Sequence, residues 1–302
     1  MTAGMKFELH TPQEFNTAKL VGVFEDGSPA WHEARADGLG GSDVAAAIGL
    51  SPYESPYSLW AKKTGQVLPE PVHNWSVRFG KAFEEPILQL WQEEHPEYEV
   101  FRTGTYMDGE HSFLRANPDA LARDPDGNWI LIEVKTSRNF WDQTPGAYRA
   151  QVMHYMDVLK IEKACVVAVA GWNYWEDWID YDKFEADSQR SALEWFWKMV
   201  LEETPPKIDG SEPTYEAVRK MHPDIDPDLE VEIEGLHHLI NLQADMETAK
   251  ETFTQAKSEI LASMGKAKSA YMVIDGKKFT CATRQARGKG TPFLVINKGG
   301  KP

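Results

Sequence analysis

Cysteine is scarce in this chain of 302 residues, and long apolar runs are absent. The two cysteines, Cys165 and Cys281, are too few for a four-cysteine zinc or iron–sulfur site and are typical of a reducing cytoplasm. There is no run of 18 apolar residues to cross a membrane, and the first residues lack the basic and then apolar pattern of a signal peptide. These absences predict a cytoplasmic protein with no membrane partner.

Several motifs of common enzyme classes are also missing. The sequence contains no G-x-x-x-x-G-K-[ST] loop for ATP and no G-x-S-x-G nucleophile turn. Its nine histidines form no H-E-x-x-H pair, and the adjacent His237 and His238 would point in different directions on a helix. ATP-driven motors, serine hydrolases of the elbow type and common zinc hydrolases are therefore excluded as first hypotheses.

Positive charge is in short supply overall, because the formal net charge is −15. The distribution is uneven: from Gly265 to Pro302, nine Lys and Arg residues stand against a single aspartate, Asp275. An acidic body with a basic C-terminal segment suggests an anionic partner for that segment, although a solvated pair of strands with incidental lysines is an equal alternative. The acidic body argues against loose coating of nucleic acid and allows a narrow site where metal ions and a few basic residues meet phosphates.

Hydrophobic periodicity and turn signals predict an α/β fold. Helices are expected over 31–36, 43–48, 56–63, 77–94, 147–159 and 186–203, and strands over 113–116, 129–135, 164–170 and 176–181. The N-terminal third is expected to be helical with tight turns. Three regions follow: a domain over 1–204, a Pro- and Asp-rich linker over 205–228, and an extension over 229–302. The extension combines a long helix, which packs on the body or pairs with another helix, with a basic hairpin.

The residues that carry chemistry are Asp119 and the tripeptide Glu133-Val134-Lys135. Alternation along a strand places Glu133 and Lys135 on one face, after the apolar run WILI. If Asp119 ends a neighbouring strand, the two carboxylates meet and repel unless a cation lies between them. Carboxylates and the Val134 carbonyl suit Mg²⁺, with Mn²⁺ able to substitute, and Lys135 would polarise an attacking water. An isolated E-x-K is a frequent tripeptide and is more often an ordinary strand end.

Neighbouring polar residues extend this hypothesis. Glu84 and Glu85 lie on the predicted helix that precedes the strands, and helical position does not decide which of them faces inward. Gln151 and Tyr155 are four residues apart on the following helix and therefore share a face. Ordinary helix packing is the alternative explanation for that pair.

Four motifs, in this order along the chain, resemble the YqaJ-type viral recombinase family, which includes the phage lambda exonuclease. The family belongs to the PD-(D/E)xK nuclease superfamily. The motifs are GGSDVAAAIGLSPYESPYSLWAKKTG, FGKAFEEPIL, ANPDALA followed by LIEVKTS, and QVMHYM. The resemblance covers about residues 30 to 185, and it is the order of all four that makes it specific, since each short motif alone recurs by chance.

The resemblance implies a restriction-endonuclease-like core, a central mixed sheet flanked by helices, followed here by a C-terminal helix and hairpin appendage. It implies that Asp119 and Glu133 hold the metal, that Glu85, rather than Glu84, assists because the family has glutamate just before proline, and that Lys135 positions the water. Gln151 would orient these groups, with Tyr155 in the substrate-binding set. Arg35 and Ser42 match positions that grip a 5′-phosphate, and Ser42 is expected at a helix N-cap, where an anion binds well. Helix capping and a surface ion pair are the simpler explanations of these two residues.

The function implied by the resemblance is a metal-dependent 5′ to 3′ exonuclease that degrades one strand of linear duplex DNA. The expected partners are DNA ends, a single-strand annealing protein and, as in the family, two further copies in a trimer. The protein would act in the cytoplasm of a bacterial host, encoded by a phage or prophage. The alternatives are an endonuclease or structure-specific nuclease on the same core, or a catalytically idle DNA-binding subunit.

Aromatic residues are frequent after the predicted central strand. Trp172, Tyr174, Trp175 and Trp178 either pack on an edge strand, the favoured interpretation, or form a stacking platform for single-stranded DNA.

Overall fold

A computed structural model describes residues 7–25, 27–68 and 74–297 of the chain. Lys298 and Lys301 of the basic segment lie outside the described residues. The chain divides into two compact units, Met1–Ile225 and Asp226–Pro302. Each unit is described by itself below.

Helices of the first unit are α1 (Pro29–Ala36), α2 (Gly41–Ala47), α3 (Pro56–Lys63), α4 (Trp75–Glu94), α5 (Gly146–Leu159), α6 (Lys183–Leu201) and α7 (Glu212–Met221). Its strands are β1 (Glu8–Leu9), β2 (Glu14–Phe15), β3 (Ala18–Gly22), β4 (Glu99–Arg102), β5 (Thr105–Met107), β6 (Arg115–Ala116), β7 (Ala120–Arg123), β8 (Trp129–Ser137), β9 (Lys163–Ala170) and β10 (Asn173–Asp180). The second unit holds α8 (Leu236–Met264), β11 (Ser269–Ile274), β12 (Lys277–Gln285) and β13 (Phe293–Ile296).

The first unit is built on a six-stranded mixed sheet with the order β1-β4-β7-β8-β9-β10. Strands β4, β7 and β8 are antiparallel, β8 and β9 are parallel, and β10 returns antiparallel at the edge. The parallel pair needs a crossover, which α5 supplies. This is the central mixed sheet predicted for a restriction-endonuclease-like core, and it confirms the predicted fold class.

Helices cover both faces of the central part of this sheet. On one face, Ile87, Leu88 and Trp91 of α4 pack with alternate residues of β8 such as Ile132. On the other face, residues of α5 and α6 pack with the intervening positions, such as Leu131. The apolar run of β9 is buried on both faces, as expected for a central strand.

The start of the chain differs from the predicted helical third. Strands β2 and β3 form a hairpin that joins β5 and β6 in a four-stranded sheet, while β1 pairs with β4 at the edge of the central sheet. These strands are short, and their pairing with β4 and β5 is set by tertiary contacts some 90 residues away. Local periodicity therefore carried little information about them.

The stretch 205–228 was predicted as a linker, but it contains α7, which packs against α3. Ser211 caps α7 by accepting a hydrogen bond from the Thr214 N–H, and Pro213 lies in the first turn. Thr214 and Ala217 are buried, and the Thr214 hydroxyl donates to Ser55 Oγ at 2.7 Å. Proline and aspartate mark the ends of this helix, which explains why the composition resembled a linker.

The second unit consists of one long helix and a three-stranded antiparallel sheet with the order β11-β12-β13. The hairpin between β11 and β12 turns at Asp275 and Gly276, both with positive φ, where the sequence predicted it. Met264 at the end of α8 packs with Ala282 and Leu294 in a small apolar cluster.

No helix within the described residues is both long and apolar enough to span a bilayer.

We expect Thr214→Val to lower the free energy of unfolding of the first unit by about 1 kcal/mol, because a buried hydrogen bond is lost with little change in shape. Urea unfolding followed by tryptophan fluorescence measures the change. The control is Thr204→Val, since this exposed threonine makes only a 3.4 Å contact to its own turn. Equal stability of both variants and the parent protein would show that the hydrogen bond from Thr214 to Ser55 does not stabilise the first unit.

Candidate active site

The antiparallel pairing of β7 and β8 brings the two predicted carboxylates together. Ala120 is paired with Ile132, so Asp119, one residue earlier, lies opposite Glu133. Asp119 Oδ2 accepts a hydrogen bond from the Val134 N–H at 2.7 Å, which fixes the carboxylate at the end of the strand pair. The condition that the sequence left open, that Asp119 ends a neighbouring strand, is therefore met.

Glu133 is the most enclosed of these groups, with 2% of its side chain exposed. Its Oε1 accepts hydrogen bonds from Lys135 Nζ at 2.5 Å and from Gln151 Nε2 at 2.6 Å. Its Oε2 is buried and has no hydrogen-bond partner. A buried carboxylate oxygen without a partner carries a desolvation penalty that a bound cation would remove.

Burial and mutual repulsion shape the electrostatics of the pair. Burial raises the pKa of Asp119 well above its usual value, and the charge of Glu133 raises it further. Burial also raises the pKa of Glu133, by more than Lys135 lowers it. Burial works against the charge of Lys135, but the carboxylates of Glu133 and Asp119 outweigh this effect and raise its pKa. With both carboxylates ionised, the site would carry more negative charge than one lysine neutralises.

These features fit a divalent cation that is bound by few protein ligands. Among the residues that the structure describes, no three His, Cys, Asp or Glu side chains are grouped as a ready-made metal cage. The site instead offers two carboxylates and an unpartnered oxygen, and this suits a hard cation that keeps part of its water shell. The third carboxylate is nearby but is held by an arginine.

The helix carboxylate that acts on this site is Glu84. Its charge raises the pKa of both Asp119 and Glu133. Arg102 Nη1 donates to Glu84 Oε1 and to the Asp119 carbonyl oxygen, each at 2.6 Å, while Arg102 Nη2 donates to Glu85 Oε2 at 2.8 Å. Glu84 is favoured over the predicted Glu85 by its charge effect on the two carboxylates, while the two side chains are similarly exposed, at 31% and 37%. Arg102 was not identified from the sequence, where nothing distinguishes it from a strand-end cation.

Gln151 and Tyr155 lie on one face of α5, as their spacing predicted, and that face meets α2. The Gln151 Nε2 lies 3.4 Å from the Tyr155 hydroxyl. A Cβ added at Gly41 would lie 2.5 Å from the Tyr155 ring and 2.6 Å from Gln151 Cγ. Only glycine allows α2 to come this close to the residues that hold Glu133.

Arg35 and Ser42 are joined, since Arg35 Nη2 donates to Ser42 Oγ at 2.5 Å. Ser42 is not the N-cap, contrary to the prediction: the cap is Gly40, whose N–H donates to Asp43 Oδ2 at 3.0 Å. Asp43 takes over the capping from inside the first turn, which leaves the Ser42 hydroxyl to face Arg35.

Asp43 is buried and is balanced by cations. Lys63 Nζ donates to Asp43 Oδ2 at 2.8 Å and to the carbonyl oxygens of Arg35 and Gly38. Burial works against ionisation of Asp43, but Lys63 and Arg35 outweigh it and keep its pKa below the usual value. This network ties the end of α1 to α2 and so fixes where Arg35 is anchored.

A pocket beside this network connects it with Tyr155. Its walls include Arg35, Gly40, Gly41, Tyr155 and two residues not identified from the sequence, Arg115 and Asn117. Burial lowers the pKa of the Arg115 guanidinium, and its Nε is buried without a hydrogen-bond partner. Arg115 lies four residues before Asp119, so its position ahead of the ANPD motif was the available signal. Two arginines and an unpartnered donor make the pocket suited to an anion.

Asp119 opposite a Glu-x-Lys strand, in the middle of a mixed sheet, is the arrangement that the motifs predicted for a nuclease of the PD-(D/E)xK class.

Comparisons with known proteins agree with this class. Residues 30–162 match the model of the YqaJ-like viral recombinase domain. "Uncharacterized protein YqaJ" of Bacillus subtilis (strain 168) is 29% identical over 203 residues, which span 64% of this chain and 62% of that protein. The chain thus spans about three-fifths of the length of this relative.

Two solved structures are also similar. An alkaline exonuclease from Laribacter hongkongensis has 18% identity and a TM-score of 0.49, over 59% of this chain and 94% of that one. A phage-related exonuclease from Haemophilus somnus 129PT has 13% identity and a TM-score of 0.39, over 55% and 96%.

The match over residues 30–162 agrees with the family that the motifs predicted, and it supports a nuclease role.

In a buffer that contains EDTA, we expect Asp119→Asn to raise the free energy of unfolding at pH 8. The raised pKa of Asp119 means that its ionised form destabilises the fold, by about 1.4 kcal/mol for each pH unit that separates the folded-state pKa from the unfolded one. The gain should shrink as the pH falls and should vanish below about 4, the usual aspartate pKa, because the carboxyl of the parent protein is then neutral in both states.

Urea titrations at several pH values test this expectation. The exposed Asp126→Asn in the β7–β8 turn is the control, and its stability should follow that of the parent protein at every pH. An Asp119→Asn variant less stable than the parent at pH 8 would contradict the electrostatic description of the site.

Proposed function

We propose that this protein is a metal-dependent exonuclease that degrades one strand of linear duplex DNA from the 5′ end, leaving 3′ overhangs for recombination by strand annealing. The observation that carries the proposal is the buried Glu133, which lies opposite Asp119, is held by Lys135 and Gln151, and keeps one oxygen without a partner. Such a carboxylate is costly to the fold and useful to a phosphodiesterase.

Asp119 and Glu133 would hold Mg²⁺, or Mn²⁺ in its place, with the Val134 carbonyl as the further predicted oxygen ligand and Glu84, rather than the predicted Glu85, as the assisting carboxylate. The bound cation supplies Lewis acidity and offsets negative charge on the scissile phosphate.

Lys135 has two tasks in this mechanism. Its ammonium group, charged because Glu133 and Asp119 raise its pKa, donates hydrogen bonds to the attacking water and to phosphate oxygens. The Tyr148 ring lies 5.1 Å from Lys135 Nζ and limits where the ammonium group can move. Gln151 also donates to Glu133 Oε1, so the carboxylate would keep one hydrogen bond when Lys135 turns to the substrate.

The pocket that contains Arg35 would hold the terminal 5′-phosphate. Arg35 and Arg115 provide charge, and the Ser42 hydroxyl, now paired with Arg35, would donate to the phosphate. Tyr155 lines this pocket and also lies beside Gln151, so it belongs to both sites. Burial and the charge of Glu133 raise the pKa of Tyr155, which keeps its hydroxyl as a hydrogen-bond donor.

The predicted partners are duplex DNA ends and a single-strand annealing protein, with assembly of identical copies as in the family. The predicted place of action is the cytoplasm of a bacterial host.

The test uses linear duplex DNA, labelled and carrying a 5′-phosphate, with Mg²⁺ or with EDTA. We expect nucleotide release only with Mg²⁺, and a rate about 10²–10³-fold lower for Lys135→Ala, because a transition-state donor is lost. Lys62→Ala is the control, since this exposed lysine pairs with Glu54 away from the carboxylates.

Closed circular DNA separates the alternatives. Cleavage of the circle would show an endonuclease instead of an exonuclease. Tight DNA binding without any cleavage would show a catalytically idle DNA-binding subunit.

We expect Arg35→Ala to lower kcat/KM on 5′-phosphorylated ends by about 10- to 100-fold, as charge-assisted hydrogen bonds are lost, with little change on 5′-hydroxyl ends. Arg219→Ala is the matched control, because Arg219 pairs with Glu216 on its own helix. Equal losses on both kinds of end would assign Arg35 to the structure of α1 and α2 rather than to phosphate recognition.

A further inference from the structure

A second pocket lies at the C-terminal end of β8, directly after Lys135. It is lined by residues that directly follow Lys135 on β8, by the β9–β10 turn, and by the first turns of α4: Thr136, Ser137, Arg138, Val169, Gly171, Trp172, Trp75, Ser76 and Phe79. None of these residues has a role in the mechanism above. Three of the lining residues, Trp75, Phe79 and Trp172, are aromatic, which is unusual for a surface that is open to water.

Trp172 is in a conformation that its own packing does not explain. Gly171 and Trp172 form a two-residue turn between β9 and β10, and both have positive φ, 58° and 70°. Such turns favour asparagine and glycine, and a bulky residue there is strained. The Trp172 side chain is 91% exposed, so no burial offsets that strain. Backbone strain that is not offset by burial of the side chain indicates that the side chain contacts another molecule.

The aromatic surface continues from this pocket along α4 toward the active site. Trp75, Phe79 and Phe83 are spaced four residues apart and so share one face of the helix. The rings of Phe79 and Phe83 stack at 4.2 Å with an angle of 21° between them. Phe83 immediately precedes Glu84, whose charge acts on both catalytic carboxylates. The row of rings therefore extends along α4 from the pocket to the residue before Glu84.

We propose that Trp172, Trp75, Phe79 and Phe83, the aromatic track, bind unpaired nucleobases of a DNA strand that has left the duplex beside the active site. The rings of Trp172, Trp75 and Phe83 are exposed and that of Phe79 is half-buried, and stacking of bases on such rings is indifferent to sequence. Thr136, Ser137 and Arg138 provide polar and cationic groups on the adjacent wall for the sugar–phosphate backbone. The inference rests on the proposed function, because degradation of one strand of a duplex produces the unpaired DNA that the aromatic track would bind.

Binding of a labelled oligothymidine to the full chain, followed by fluorescence anisotropy in EDTA with Lys135→Ala as background, tests the track. Trp172→Asn should weaken binding by about tenfold or more, since one stacked base is lost. Asparagine suits the positive φ, so the melting temperature should not fall. Trp195→Ala, at an exposed tryptophan of α6, is the control and should bind as the background protein does. Unchanged binding by Trp172→Asn would overturn the proposal.

A separate arm measures Mg²⁺-dependent cleavage of duplex DNA by the protein with Lys135 intact. Cleavage by that protein, together with unchanged oligothymidine binding by Trp172→Asn, overturns the track alone. Absence of cleavage overturns the proposed function, while the anisotropy arm still decides whether the track binds bases.

A different observation concerns α8. Leu239, Met246, Phe253 and Ile260 recur every seven residues, and all four are exposed. Three residues after each come Leu242, Ala249, Ala256 and Ser263, so the pattern is a heptad seam with large residues at one position and mainly small ones at the other. Nothing among the described residues of the second unit covers this seam before the last turn of the helix, where Met264 meets the sheet.

The charges beside the seam indicate which helix packs against it and in which orientation. Asp245 and Glu259 precede the large positions, and Lys250 and Lys257 follow the small ones. In a parallel pair of α8 helices, Asp245 faces Lys250 of the second copy, whereas an antiparallel pair would place lysine against lysine and carboxylate against carboxylate. We infer that α8 pairs in parallel with α8 of a second copy of this chain, independently of what the first unit does.

Cysteine cross-linking tests the pairing in the full chain carrying Cys281→Ser. Ala256→Cys should form a disulfide-linked dimer under mild oxidation, because parallel helices place this seam position beside itself. Ser258→Cys, on the outer face of the same helix turn, is the control and should not cross-link. A monomer by light scattering would overturn the pairing, and a dimer without the Ala256→Cys cross-link would overturn its parallel orientation.

Discussion

The hydrogen bond from the Val134 N–H to Asp119 Oδ2 is the interaction on which the site depends. It extends the β7–β8 pairing by one residue beyond Ala120 and Ile132, and it thereby fixes two buried carboxylates opposite one another. The remaining groups are arranged around this conflict of charge. Lys135 and Gln151 meet one oxygen of Glu133, and Arg102 holds the Asp119 carbonyl together with Glu84. The large apolar cores on both faces of the sheet offset the free-energy cost of burying these carboxylates.

Much of this site was predictable because its signals are local. The apolar WILI run predicts a buried strand, alternation places Glu133 and Lys135 together, and a spacing of four puts Gln151 and Tyr155 on one helix face. Helix α3 has the predicted bounds, 56–63, and local residues mark both ends: Ser55 caps it, Pro56 begins it and Gly65 follows it. The motifs added the family, and with it the reason to connect Asp119 with a residue 14 positions later.

What the sequence did not reveal depends on contacts between distant segments. Glu84 and Glu85 differ only by rotation about a helix, and Arg102, on a strand 17 residues away, decides how each is used. Serine is a common N-cap residue, which favoured Ser42. In the structure Asp43 accepts the capping hydrogen bond instead, and Lys63 balances the charge of this buried carboxylate. The strands before Gly22 are too short to show a period, and α7 was hidden by the proline and aspartate residues that begin and end it. In each instance the deciding partner lies outside any local window.

Gly41 links the two halves of the site through direct contact between helices. Because no side chain separates α2 from Gln151 and Tyr155, the pocket with Arg35 and the carboxylates beside Gln151 are spaced by van der Waals contact rather than by a loop. A DNA end held in one and a phosphodiester bond cut at the other would then be a fixed number of nucleotides apart. The packing of α2 against α5 would then set the length of the released product, whatever the sequence of the DNA.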